Sequence, residues 1–169
     1  MNSRKEVLEN LKFADQYMST VFPDMDKLSF VITGGASFLL KGFSNKFTLD
    51  IDTITEMNHD VLQFLESFSI NNSASEVTKL PKSYKERLVK LKGKFEVLDL
   101  YLLSHEDLVL SKIGRLSEDD LRDIEDTGIM EEVDMSLLTK LAEELSAEDM
   151  EFGHKWRYFN RYFSLKEVV

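Results

Sequence analysis

The chain has 169 residues, of which 43% are hydrophobic and twelve are Phe, so a sizeable core can be buried and wholesale disorder is excluded. The absence of Cys excludes disulfides, thiolate zinc sites and cysteine nucleophiles, and it fits a reducing cytoplasm. A net charge of −10 makes the chain a poor general binder of nucleic acid, because phosphate neutralisation dominates that affinity.

Residues 4–21 carry apolar side chains at Val7, Leu8, Leu11, Phe13, Ala14, Met18 and Val21, which predicts an amphipathic helix capped by Ser3 and broken at Pro23. Leu28 to Thr33 reads as a buried strand that stops at Gly34-Gly35, and Ala36 to Lys41 as a short helix. Phe47 to Ile54 alternates as a second strand. Asn58 or His59 opens a helix through Val61, Leu62, Phe64, Leu65 and Phe68, and Asn71 to Ser75 is a polar loop. Arg87 to Leu91 and Phe95 to Leu103 read as strands around a turn at Gly93-Lys94. The last third is helical. Ser104, with Asp107 three residues on, resembles a capping box; Ser117 caps a helix from Glu118 to about Asp126; Asp134 or Ser136 opens the next; and Ser146 caps a final helix with Phe152, Trp156, Phe159, Tyr162 and Phe163. The layout predicts an α/β (α+β) protein. Residues 1–103 form a small mixed sheet flanked by helices, and residues 104–169 a helical extension packed on it. No apolar run approaches the roughly 20 residues of a membrane span, and the charged N-terminus lacks a signal-peptide apolar region. A soluble, cytoplasmic protein without a membrane partner is expected.

Charge is unevenly spread. Lys79 to Lys94 holds seven basic residues against Glu86, while Glu118 to Glu151 holds fourteen acids against Arg122 and Lys140. The basic stretch is either a solvated face or a contact for phosphates or RNA. His59, His105 and His154 lack metal-ligand spacing and read as surface or capping residues. Trp156, Tyr158, Phe159, Tyr162 and Phe163, with Lys155, Arg157 and Arg161, have the composition of a base-stacking surface and the spacing of a core stripe.

The chemistry centres on Asp50-Ile51-Asp52. On a strand, residues i and i+2 face the same way, so the two carboxylates project side by side, roughly 6–7 Å apart at the backbone. Such a pair repels itself unless a cation lies between, and hard divalent cations with oxygen ligands are the usual answer. The plainer reading is one Asp in a turn and the other in solvent. An EF-hand is excluded, because Ile54 and Thr55 occupy the places of its third oxygen ligand and its glycine. Gly34-Gly35, on the adjacent strand–helix turn, would let the backbone approach a phosphate closely. Neither a Rossmann fingerprint nor a Gly-Lys-Ser/Thr phosphate loop is present.

Ile32-Thr-Gly-Gly-Ala-Ser37 followed by Lys46-Phe-Thr-Leu-Asp-Ile-Asp52 resembles the signature of the DNA polymerase β-like nucleotidyltransferase superfamily. It is nearest to the minimal bacterial group that includes the AbiEii-like abortive-infection toxins. Gly34, Gly35, Thr48, Asp50 and Asp52 match that pattern; Lys46 stands where Arg is commoner, keeping the charge without the bidentate fork. Leu102 to Lys112, then Arg115, Asp120 and Asp123, resemble a second motif of the group. The resemblance implies Mg²⁺ (or Mn²⁺) on Asp50 and Asp52 and triphosphate contacts from Gly34, Gly35, Ser37, Lys46 and Thr48. It also implies a Lys and an Asp completing the site, for which Lys112 and Asp120 are the closest matches and Asp123 is a rival to Asp120. The superfamily often adds a third carboxylate from a neighbouring strand; Asp99 is favoured over Glu96. The implied activity moves a nucleoside monophosphate from an NTP to an RNA or protein hydroxyl. The implied setting is toxin–antitoxin or phage defence, with an antitoxin protein as partner and RNA contact through Lys79–Lys94. The alternative is an inactive nucleotidyltransferase-like binding or regulatory module.

Overall fold

The computed structural model describes residues 1–167. The chain divides into two compact units, one of Met1–Val77 with Arg87–Leu103, the other of Thr78–Glu86 with the chain from Ser104 onward.

The first unit is a five-stranded mixed sheet with helices. It contains α1 (Arg4–Val21), β1 (Leu28–Thr33), α2 (Gly34–Leu40), β2 (Ile51–Thr53), α3 (His59–Glu66), β3 (Ile70–Asn71), β4 (Val89–Lys90) and β5 (Leu98–Leu102). The strand order is β3-β2-β1-β5-β4. β1 runs parallel to β5, and β2 parallel to β3; the β1–β2 and β4–β5 pairs are antiparallel. Phe30, Ile32, Ile51, Ile70, Leu98, Leu100 and Leu102 make the apolar sheet face, buried in one cluster with Val7, Leu11, Ala14 and Met18 of α1. The buried α1 stripe is smaller than its apolar residues suggest: Phe13 falls off the 7-11-14-18 face and Val21 is the last residue of the helix, and both lie exposed. The start is as expected, with Ser3 Oγ accepting from Glu6 N–H at 3.2 Å.

One acid lies inside this apolar set. Asp15 is buried, and its carboxylate accepts N–H bonds from Glu96 (2.7 Å), Val97 (2.9 Å) and Leu98 (2.9 Å). The Glu96 and Val97 amides are thus satisfied from the helix ahead of β5, which begins at Leu98 rather than at Phe95. Asp15→Leu should therefore lower stability by at least about 3 kcal/mol, since three amide donors, two of them buried, lose a charged acceptor. Urea unfolding followed by circular dichroism would measure it, and a change under about 1 kcal/mol would contradict this account.

The second strand is also shorter than its alternation predicts. Thr48 exchanges backbone bonds with Met1 (N–H to Met1 O, 2.9 Å; Met1 N to Thr48 O, 2.8 Å) instead of joining the sheet, and Phe47 and Leu49 point into solvent. β4 is likewise only Val89–Lys90, because the chain before it is a 3₁₀ turn, Lys82–Arg87.

The second unit is helical: α4 (His105–Arg115), α5 (Glu118–Thr127), α6 (Met135–Glu148) and α7 (Met150–Glu167). Side chains cap most starts. Ser104 accepts from Asp107 N–H at 3.0 Å, Ser117 forms a full capping box with Asp120, and Asp134 accepts from Leu137 N–H at 3.1 Å. Ser146 is not a cap. It sits inside α6 and donates to Ala142 O, and Asp149 takes over, accepting from Phe152 N–H at 3.2 Å. The segment Thr78–Glu86 straps this unit: Lys79 pairs with Asp149 (3.2 Å) and Lys82 with Glu148 (3.4 Å). A Cβ on Gly114 of α4 would lie 2.9 Å from Lys79 Cβ, so the strap needs a glycine beneath it. Among the described residues no helix is long and apolar enough to cross a membrane.

Candidate functional site

The site grows from the end of β1. Thr33 is the last residue of that strand and pairs with Asp52 of β2. The next residue, Gly34, turns the chain into α2 with φ +66°, a left-handed conformation that favours glycine. The turn lies directly against an acid: a Cβ on Gly34 would overlap Asp52 Oδ2 and lie 3.2 Å from Asp52 Cβ. Gly35 is equally confined. Its missing Cβ leaves space taken by Lys46 Cε (2.7 Å) and by Thr48 Cβ (2.9 Å) and Oγ1 (3.0 Å). Thr48 Oγ1 in turn donates to Asp50 O at 2.9 Å. The structure thus brings Gly34, Gly35, Lys46, Thr48 and Asp52 together, with both glycines required by the packing.

Asp50 precedes β2 by one residue, and Asn71 fixes where its carboxylate points. Asn71 pairs with Asp52 across β2 and β3, so both side chains occupy one face of the sheet. From that face Asn71 Nδ2 donates to Asp50 Oδ2 at 3.0 Å. Asp50 and Asp52 therefore face the same way. Asn71's orientation is itself determined: its Oδ1 accepts from Ser73 N–H (3.2 Å) and Ser73 Oγ–H (2.6 Å), which leaves the amide nitrogen for Asp50. Sequence reading places Asn71 in a polar loop and misses this role. The only local signal is a polar residue immediately after the buried Ile70.

Ser37, one turn along α2 from Gly34, is fully buried, and its Oγ has no hydrogen-bond partner. A buried hydroxyl without a partner costs about 1–3 kcal/mol, which marks it as a donor with a bond still to make.

Asp99 is not brought to this pair. It is opposite Ser29 on β1, whereas Asp52 is opposite Thr33, four residues and roughly 13 Å further along. Its Oδ1 lies 3.7 Å from both Lys27 Nζ and Lys90 Nζ. Among the described residues no three acids, histidines or cysteines cluster as a metal-binding group. The two carboxylates of Asp50 and Asp52 still fit Mg²⁺, which takes one or two carboxylates alongside substrate phosphate oxygens.

Lys112 and Asp120 lie in the second unit, bonded to one another at 3.2 Å. Lys112 Nζ also reaches Asp123 Oδ2 at 2.7 Å. Asp120 is fully buried and accepts at both oxygens: Oδ1 from Lys112 and Arg115 Nη2 (2.6 Å), Oδ2 from Arg115 Nε (2.8 Å), Ser117 N–H (3.0 Å) and Ser117 Oγ–H (2.8 Å). Burial by itself would raise its pKa. The Arg115 hydrogen bond, the Lys112 charge and the Ser117 bonds outweigh that and hold it well below the usual carboxylate range. A carboxylate so saturated and so weakly basic is poorly suited to take up a proton or a metal ion.

The basic stretch is partly neutralised. Lys79 and Lys82 pair with Asp149 and Glu148 in the second unit, and Lys90 with Asp99 in the first; Lys85, Lys92 and Lys94 remain exposed. Trp156 and Phe159 are core, while Tyr158 faces out.

Gly34→Ala should dismantle the site, because a Cβ there meets the Asp52 carboxylate from a backbone conformation Ala resists. Magnesium titration should show affinity lowered at least about tenfold. Gly128→Ala, at a helix end with open space around it, should leave that affinity unchanged.

A family model described as "Nucleotidyltransferase of unknown function (DUF6036)" matches residues 9–169. Comparison with curated proteins and with solved structures found no match.

Proposed function

The chain belongs to the DUF6036 family of nucleotidyltransferases, and we propose that it transfers a nucleoside monophosphate from an NTP to a hydroxyl on RNA or protein, with Asp50 and Asp52 as metal ligands. The observation that carries this reading is the contact of Asp52 with the Gly34 turn, with Asp50 held on the same face by Asn71.

Asp50 and Asp52 would hold Mg²⁺ or Mn²⁺, and the bound ion would supply charge neutralisation at the phosphoryl oxygens. The Gly34-Gly35 turn, whose missing Cβ atoms admit Asp52, Lys46 and Thr48, sets those side chains together beside the outer phosphates. Lys46, lying over Gly35, adds positive charge, while Ser37 stays buried within α2. The acceptor hydroxyl oxygen attacks the α-phosphorus in line. The new P–O bond forms as the bond to the β-phosphate oxygen breaks; pyrophosphate leaves and the hydroxyl proton passes to solvent. Asn71 acts through Asp50 as a positioning residue. Lys112 and Asp120 support the second unit in this scheme, since their charges are taken up by Arg115, Asp123 and Ser117.

The likeness of the Gly34–Asp52 motif to AbiEii-like proteins supports a role as the toxin of a toxin–antitoxin or phage-defence pair, restrained by an antitoxin protein. The reading is tested by incubating the protein with α-labelled NTPs, total cellular RNA and protein extract. Label should enter one acceptor class with Mg²⁺ or Mn²⁺ and not with EDTA. A complete lack of transfer with all four nucleotides and both metals would leave an inactive binding module as the better description. Expression of the wild type, but not of Asp52→Ala, should arrest growth; equal harmlessness removes the toxin role alone.

A further inference from the structure

The outer face of α7 carries a charge pattern unlike the rest of the chain, and the proposal made for it rests on the hydroxyl-transfer reading above. Within a chain of net charge −10, residues 152–164 hold His154, Lys155, Arg157 and Arg161 and no Asp or Glu. The helix sorts these side chains by face. Phe152, Trp156 and Phe159 are buried. His154, Arg157, Tyr158, Arg161 and Tyr162 recur at i, i+3, i+4, i+7 and i+8, which is a single stripe on the opposite side. His154, Arg157, Tyr158 and Arg161 are exposed, Tyr158 to 54%. The two tyrosine rings lie nearly parallel, 18° apart with centroids at 6.4 Å. Arg157 Nη2 donates to His154 Nδ1 at 2.8 Å, which lays that guanidinium along the helix. Lys155 is not part of the stripe, because its ammonium is committed to Gly114 O (2.9 Å) and Glu151 (3.1 Å).

We propose that this stripe binds single-stranded RNA. Unpaired bases stack on tyrosine faces while arginines neutralise the phosphates between them, and a stripe alternating the two groups offers both at once. An acidic protein needs such a local cationic surface to hold a polyanion at all. The other candidate, Lys79–Lys94, spends three of its lysines on carboxylates and presents no aromatic stripe.

Fluorescence anisotropy with a labelled 12-nucleotide single-stranded RNA, over a salt series, tests this. Wild type should bind with affinity falling as salt rises. Tyr158→Ala should weaken binding by roughly fivefold or more. Arg157→Glu with Arg161→Glu should weaken it further and flatten the salt slope by roughly 0.7 for each phosphate no longer neutralised. Lys85→Glu with Lys92→Glu and Lys94→Glu should change it little. All these positions are exposed, so the variants should stay folded, and circular dichroism verifies this. Three results overturn the proposal: no RNA binding by wild type, equal binding after the α7 changes, or equal binding of the same RNA as a duplex, where no unpaired base is available to stack. Binding of Mg²⁺–NTP, compared between wild type and Asp52→Ala, is measured in parallel. Its absence counts against the triphosphate site, and loss of RNA binding alone counts against the α7 stripe.

Discussion

Asp52→Asn should reduce nucleotidyl transfer by on the order of a thousandfold while leaving the fold intact. The substitution keeps the shape that Gly34 accommodates and removes only the charge. A metal ion at a phosphoryl centre is worth several kcal/mol of transition-state stabilisation, and each 1.36 kcal/mol is a factor of ten in rate. The neighbouring acid does not compensate, because one carboxylate remains where two would share the cation. Urea unfolding of the variant should still show one cooperative transition, because the substituted side chain has the same size against Gly34. The expected signature is therefore lost activity in a folded protein, accompanied by weaker Mg²⁺ binding. Transfer at the wild-type rate by Asp52→Asn would remove Asp52 from the metal site. Asn71→Ala should fall between, at about 10–100-fold, the range for residues that orient a ligand without touching the metal. Asn71→Ser should recover part of that loss if the bond to Asp50 is what matters.

Local signals in this chain are readable, and long-range ones are not. Ser3, Asn58, Ser104, Ser117 and Asp134 each bond an amide three residues away, so their caps follow from sequence neighbours alone. The Asp50–Asp52 pair follows from the two-residue period of extended chain. Ser146 and Asp149 show the limit of cap reading: both residues suit the role, and the choice depends on where α6 ends. Asp15 bonds amides about eighty residues away, and nothing in its surroundings marks an acid on an apolar helix face as a structural acceptor. Asp99 shows a third kind of failure. Its face of the strand is readable from alternation, but its level beside Asp52 depends on how β5 registers against β1, and no pattern within either strand sets that offset. Asn71 is hidden for the same reason, because its place beside Asp52 depends on how β3 registers against β2. The tetrad of Lys112, Arg115, Asp120 and Asp123 is visible as a charged motif. Its closure into one network depends on the turn at Leu116, whose φ of 51° brings α5 back toward α4.

That network carries the second large effect: Asp120→Ala should destabilise the protein by about 3–5 kcal/mol, the range for breaking a buried ion pair by removing one partner. Lys112 loses its 3.2 Å partner, Arg115 loses both of its bonds to Asp120, and the capping box at Ser117 loses its reciprocal half. Whole-protein stability is commonly about 5–15 kcal/mol, so this single change should be visible as a large shift in urea midpoint. The wild-type protein should also show a characteristic pH dependence. Asp120 binds its proton less readily when folded than when unfolded. Its stabilisation is therefore fully present above the unfolded value of about 3.9 and declines as pH falls below that toward the lower folded value. Urea midpoints measured from pH 7 down to pH 3 should fall for wild type and fall less steeply for Asp120→Asn, which has no carboxylate to protonate. Parallel curves would show that the Asp120 charge contributes nothing to holding α4 and α5 together. Full stability of Asp120→Ala combined with lost nucleotidyl transfer would return Asp120 to the catalytic role that the motif resemblance implies.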